Sequence, residues 1–132
     1  MAYDIEIKMK KYITSEKLVD ILSDATYSCS HWCDLYDYDE QDYIEAKEAL
    51  ENFYDREVCF EEVVLEMLER EDNFYLHDRE DDVCYSLTID KLLNGIKMHI
   101  ERDFASSNLD DWDGEDSDCV IQYALFNDVV YG

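Results

Sequence analysis

The sequence predicts an α+β fold: a small antiparallel β-sheet, built from an N-terminal strand and a central hairpin, packed with four to five α-helices in a single acidic domain over residues 1–132. Three observations lead there. Apolar residues alternate with charged ones at the start of the chain, they recur at helical spacing in several later segments, and β-formers flank turn-formers near residue 80. The composition agrees, because 47% hydrophobic and 14% aromatic residues can supply one core in a chain of 132. Acidic disordered chains are poor in aromatics, whereas this one carries 11 Tyr, 5 Phe and 2 Trp.

Tyr3, Ile5, Ile7 and Met9 alternate with Asp4, Glu6, Lys8 and Lys10, the period-two pattern of a half-buried strand. Ser15 is placed to cap a first helix whose apolar face is Leu18, Ile21, Leu22 and Ala25. Within 27–38 a strand is expected around 31–35. Ile44, Ala46, Leu50 and Phe53 predict a helix over 40–54, and Val63, Val64, Met67 and Leu68 another over 58–70, both exposing mostly carboxylates. A hairpin follows, with strands at 73–76 and 83–87 and a polar turn at 77–82. Thr88 caps a helix to about Phe104 with Leu92, Leu93, Ile96 and Ile100 inward, 108–115 reads as an acidic loop, and a last helix starts near Asp116 or Ser117 and ends close to Asn127.

The charge excludes several functions. Against 35 Asp+Glu stand 11 Lys+Arg, a net −24, so direct binding to nucleic acid or to an anionic membrane is disfavoured by repulsion. No apolar run approaches the roughly 18 residues of a membrane span and the opening residues lack a signal peptide's apolar stretch, so a cytoplasmic protein is expected. Five cysteines, an odd number, read as reduced thiols packed in a core. With 3 Gly there is no nucleotide-cradling loop, and no cofactor is implied. The charge is also uneven. Residues 1–20 are neutral, while 34–57 hold 10 acids and 2 bases, 61–82 hold 10 and 2, and 101–118 hold 8 and 1.

Candidate chemistry is sparse. On a strand, Cys29, His31 and Cys33 would share a face and could hold zinc with a fourth ligand, although beside Trp32 they also read as core. The run 110–116 resembles a calcium loop in composition but puts Asp116 where its sharp turn needs Gly. His77 and His99 read as surface groups next to carboxylates. Nothing local pairs a nucleophile with a base, so no catalytic residue is assigned and an enzyme is not expected. Spread evenly, −24 amounts to roughly one charge per 300 Å², against about one per 100 Å² for duplex DNA; gathering the acids on one face would close most of that gap. Within the helices, Glu45, Glu48, Glu51, Glu62 and Glu66 recur at three- and four-residue spacing and form like-charge ridges.

Phe74, His77, Asp78, Glu80, Asp81, Asp82, Leu87, Thr88, Lys91, Leu92, Leu93, Gly95 and Ile96, followed by 116–126 (DSDCVIQYALF) and Val129, Val130, Tyr131 and Gly132, form a recognisable signature, which Trp32-Cys33-Asp34 extends. About half the chain thus resembles a family of small acidic, largely uncharacterised proteins encoded by phages and integrative elements of Gram-positive bacteria. Two departures stand out: 27–30 lack the glycines usual before the Trp, and Asn127 stands where the family commonly has Gly. In charge and size the chain is similar to the DNA-mimic anti-restriction and anti-CRISPR proteins of such elements. That family carries no activity to transfer; the acidic surface, together with this looser likeness to DNA mimics, predicts a phage-type inhibitor in the bacterial cytoplasm that occludes the nucleic-acid groove of a basic host protein, a nuclease or CRISPR effector. Its expected contacts are Asp37, Asp39, Glu45, Glu48, Glu51, Glu62, Glu66, Asp81, Asp82, Asp111 and Asp113; a homodimer is compatible with it. The alternative is a non-catalytic adaptor whose partner reads the Tyr-rich and C-terminal surface, including Tyr123 and Tyr131, while the acids only keep it in solution.

Overall fold

A computed structural model describes residues 2–6 and 10–132. It contains a two-stranded antiparallel ribbon, β1 (Ala2–Glu6) with β2 (Lys10–Thr14), and a three-stranded sheet in the order β3 (Cys33–Tyr38), β4 (Phe74–Asp78), β5 (Val83–Ser86). The helices are α1 (Ser15–Ser28), α2 (Glu40–Tyr54), α3 (Phe60–Glu69), α4 (Ile89–Asp103) and α5 (Gly114–Phe126), with a 3₁₀ turn at Leu109–Asp111. The α+β architecture is therefore the one the residue pattern predicts, with the sheet divided in two.

The single N-terminal strand is a correction. Its expected continuation at Ile7, Lys8 and Met9 lies outside the described residues, and a second strand, β2, pairs back on β1 with Tyr3 opposite Ile13. Ile13 is the one buried side chain described in β2, so no apolar alternation announces that strand. Helix α1 starts as expected but is capped by Thr14, whose hydroxyl accepts from the Lys17 N–H, in place of Ser15. Leu18, Ile21, Leu22 and Ala25 are all buried against α3 and α5.

Helix α2 is capped by Asp39 and buries Ala46, with Tyr43 and Leu50 partly covered. Ile44 and Phe53, assigned to its apolar face, point outward, Phe53 being 81% exposed. Helix α2 packs mainly on α3, and with a single principal neighbour it buries only a narrow stripe, of which Ala46 is the fully buried residue. In α3 the four expected core residues are buried.

The hairpin keeps pairing through Asp78 and Val83, so the turn is 79–82 rather than 77–82. Buried Asp78 closes it: one carboxylate oxygen accepts from the N–H of Glu80 at 2.9 Å and of Asp81 at 3.4 Å. Thr88 caps α4 as predicted. Helix α5 begins at Gly114, earlier than expected, because Asp113 accepts from the Glu115 and Asp116 N–H groups while Asp116 accepts from the Asp113 N–H. Ser117, an expected starting residue, is buried within the helix.

Gly95 sets the distance between α4 and α5. A Cβ there would lie 2.3 Å from the Val120 carbonyl oxygen, so the two backbones touch where glycine stands. Asn127 ends α5 at φ 59°, a left-handed position that Asn tolerates almost as Gly does. Among the described residues none in 27–30 has positive φ, so that segment requires no glycine. No helix is long and apolar enough to cross a membrane among the described residues.

Candidate functional site: an acidic surface and two polar clusters

The acids gather at three places. The three-stranded sheet pairs Tyr38 with Phe74 at one end and Cys33 with Asp78 at the other. Asp37 and Asp39 therefore sit beside the start of α2, while Asp81 and Asp82 lie beyond the opposite end, about 13 Å away along the five residues of β4. A third group forms where the segment around 110–113 folds against α1. Lys17 there pairs with Asp110 and lies 3.7 Å from Asp20, and the Asp24 carboxyl is raised by partial burial and by Asp20 and Asp113. Asp20 and Asp24 belong to this group only through tertiary contact, which a charge count along the chain misses.

Several expected contacts already serve the fold. Glu62 pairs with Arg56 at 2.8 Å and accepts from the Cys59 N–H at 3.1 Å; the Arg56 guanidinium, foremost, holds its carboxyl below the usual range. Glu66 pairs with Arg70 at 3.2 Å, and Glu51 accepts from the Val58 N–H at 3.4 Å. Asp39 and Asp113 are helix caps, and Asp111 accepts from the Ser106 hydroxyl. Asp82 takes a hydrogen bond from His77 of β4 at 2.7 Å, which foremost raises the imidazole's proton affinity. Glu45 and Glu48 of α2, with Asp37 and Asp81, are exposed and have no cationic partner among the described residues. The accessible surface of 7579 Å² over 24 net charges is about 320 Å² per charge, so only local gathering approaches the density of DNA.

The zinc expectation at Cys29, His31 and Cys33 rests on a strand that does not exist there. Residues 29–32 form a turn: Cys29 is buried at the end of α1, and His31 bonds the Ser28 carbonyl at 2.9 Å and lies 3.5 Å from Asp118. The expectation of core thiols holds for Cys29 alone; Cys33 and Cys119 are half-buried, Cys59 and Cys84 exposed, and all five are free.

Two polar clusters escape sequence reading. The first joins the signature residues. The buried Gln122 side chain uses its full hydrogen-bonding capacity: its oxygen accepts from the Val130 and Tyr131 N–H groups at 2.8 and 2.7 Å, and its nitrogen donates to Asp118 at 3.0 Å and to the Tyr131 carbonyl at 2.9 Å. Asp118 also accepts from the Trp32 indole at 2.7 Å, Trp32 stacks on Tyr131 at 5.4 Å, and the Tyr131 hydroxyl donates to Asp78 at 2.6 Å. These residues fasten the C-terminal tail to α5 and to the hairpin turn. Tyr123 is 3% exposed and so offers no surface for an adaptor's partner to read, while Tyr131 is partly covered with its hydroxyl engaged by Asp78.

The second cluster surrounds His99, which is 5% exposed and not the surface group its position suggests. Its Nδ1 lies 2.8 Å from Asp103 and its Nε2 2.7 Å from Asp116. The Tyr123 hydroxyl donates to Asp103 at 2.8 Å, and Trp112 meets the imidazole edge-on at 5.1 Å. Cys119 stands beside them, its thiol pushed up to about 11 by burial and by Asp103, Asp118 and Asp116. Helical i,i+4 spacing of His99 and Asp103 was the available signal, but Asp116 and Cys119 join only because Gly95 draws α5 close.

In comparison with known proteins, no family model, curated protein or solved structure matches the chain.

Proposed function

We propose that the protein is an acidic inhibitor, of the kind encoded by phages and mobile elements, that occupies the basic nucleic-acid groove of a host defence protein and excludes DNA by occlusion. The observation that supports this most is the outward pair Glu45 and Glu48 on α2, with exposed Asp37 near the start of that helix, none having a cationic partner among the described residues. Like charges at such spacing destabilise a helix, and a cationic groove would remove that cost. The same helix ends in Phe53 and Tyr54, 81% and 49% exposed, which suits a docking anchor set at the edge of a charged strip.

The test is capture of partners from bacterial lysate on the immobilised protein, eluted by a salt gradient, with Asp37→Asn, Glu45→Gln, Glu48→Gln and Asp81→Asn combined as the comparison. The reading expects a nucleic-acid-binding partner released by rising salt and displaced by duplex DNA. At about 0.5 kcal/mol per surface charge the combined variant loses about 2 kcal/mol, a roughly thirtyfold weaker Kd. Binding that persists undiminished in high salt, or that the four changes leave intact, overturns it. If the four changes are tolerated while Phe53→Ala and Tyr54→Ala abolish capture, the adaptor reading takes its place.

A further inference from the structure

We propose that His99, Asp103 and Cys119 form a binding site for one divalent transition metal of the zinc class, between the end of α4 and the second turn of α5. A ring nitrogen of His99, a carboxylate oxygen of Asp103 and the Cys119 sulfur all lie within 4.8 Å of one another, the one such trio of ligating side chains among the described residues. Nδ1 is the nitrogen that faces Asp103, at 2.8 Å. Tetrahedral zinc, with bonds of about 2.0–2.3 Å, sets its ligand atoms roughly 3.3–3.6 Å apart. The His99–Asp103 pair must open by about half an ångström and the Cys119 sulfur close on the pair by up to about 1.2 Å, adjustments for which the Asp103 side chain, 36% exposed at the last residue of α4, has room to rotate. That exposure also leaves the fourth position open to water.

The surroundings are those of a ligating histidine. In the proposed site the ring N–H sits on the far nitrogen, Nε2, which Asp116 holds at 2.7 Å, and the Nδ1 lone pair faces the trio. The second oxygen of Asp103 takes the Tyr123 hydroxyl, which orients the carboxylate. A neutral imidazole has one N–H and cannot donate to carboxylates at both nitrogens. A cation at Nδ1, whether a metal ion or a second ring proton, satisfies both contacts at once, and cobalt titration separates the two. The donor set selects the metal: a thiolate and an imidazole favour zinc-class ions over calcium or magnesium, which prefer oxygen ligands. Binding sends the Cys119 thiol proton to solvent. This site is independent of the acidic-inhibitor reading, since none of its three ligands lies on the face assigned to the partner.

The experiment is cobalt titration of the reduced, metal-free full-length protein, followed by zinc displacement. The expected result is one cobalt per chain, with the thiolate-to-cobalt charge-transfer band and the visible pattern of four-coordination, both lost in Cys119→Ser and kept in Cys59→Ser and Cys84→Ser. Zinc at 100 times its Kd raises Tm by about 10 °C in the wild type, and by far less in Cys119→Ser and Asp103→Asn, whose folding is checked by circular dichroism. Both replacements are near-isosteric at half-exposed or exposed positions, so the folded chain remains available for the measurement. The proposal is overturned by the absence of a sulfur–cobalt band, by its survival in Cys119→Ser, or by magnesium raising Tm as much as zinc does. In those cases His99 joins α4 and α5 through its two carboxylate contacts alone.

Discussion

Replacing Gly95 with alanine tests whether the approach of α4 to α5 governs stability. A Cβ at this position lies 2.3 Å from the Val120 carbonyl oxygen and 3.2 Å from both the Val120 carbonyl carbon and the Ala124 nitrogen. All three are backbone atoms of a regular helix, so no side-chain rotation relieves the overlap. Reaching an ordinary contact of 3.4 Å requires the helices to part by about 1 Å, which disturbs the packing of Leu92, Ile96, Val120 and Ile121. Overpacking of this kind costs about 3 kcal/mol at the upper end of its usual range. Alanine recovers about 1 kcal/mol of helix propensity. The net loss is then about 2 kcal/mol. With an unfolding entropy of about 2.1 cal/mol/K per residue over 132 residues, that lowers Tm by about 7 °C. The assay is thermal unfolding by circular dichroism, with Gly114→Ala as control, where the nearest atom is the Ser28 Cβ at 3.3 Å. Gly114→Ala should change Tm by no more than a few degrees. A rise of about 3–4 °C for Gly95→Ala would refute the reasoning, because it would mean that propensity decides and the backbones have room.

Two further outcomes follow from the buried polar groups. Gln122→Leu keeps the side-chain size but leaves the Val130 and Tyr131 N–H groups without their acceptor; since the tail can detach and hydrate, the expected loss is about 2 kcal/mol, with limited proteolysis newly cutting after residue 127 as the check. In alkali, stability should fall, because burial foremost raises Cys33 to about 12, Cys119 to about 11 and Tyr123 to about 12, and Cys29 and Tyr3 higher still; at Tyr131 the hydrogen bond to Asp78 comes first. A group raised in the folded state contributes stability that is complete below its unfolded value and disappears as pH climbs through the folded one. Tm measured against pH should therefore be insensitive to these groups up to about 8 and decline above about 9, where unfolded thiols and then phenols ionise; a Tm that holds steady through pH 11 would contradict the assigned burial.

Where local chemistry sufficed, the residues were readable in order. The apolar spacing of α1 and α3 and the Thr88 cap act within three or four residues and appear where the sequence predicts them; in α4 Leu92 and Ile96 are buried as predicted, while Leu93 and Ile100 are partly covered and Met98 and His99 are buried as well. Helix α2 shows the limit of such reading: its periodicity was present, but which apolar residues are covered depended on what lay opposite, and α3 covers Ala46 while leaving Phe53 in water. Strand β2 was invisible because one buried isoleucine makes no alternation. For the acidic surface, the sequence named the carboxylates but not their employment. Glu62 and Glu66 looked equivalent to Glu45 and Glu48 until the structure paired them with Arg56 and Arg70.

The sequence by itself determined an acidic α+β chain, the helices with strong local periodicity, and a net charge of −24 that opposes nucleic acid. Tertiary structure alone decided which polar groups meet. The Trp32–Asp118 bond spans 86 residues and the Asp78–Tyr131 bond 53, distances over which no helical or strand period carries information. Burial then gave those meetings their force, since a polar group removed from water must find its partner inside the protein. His99 makes the difference concrete: along the chain it is one histidine among carboxylates, and in the fold it lies between Asp103 and Asp116 with a cysteine beside it because Gly95 lets two helices touch.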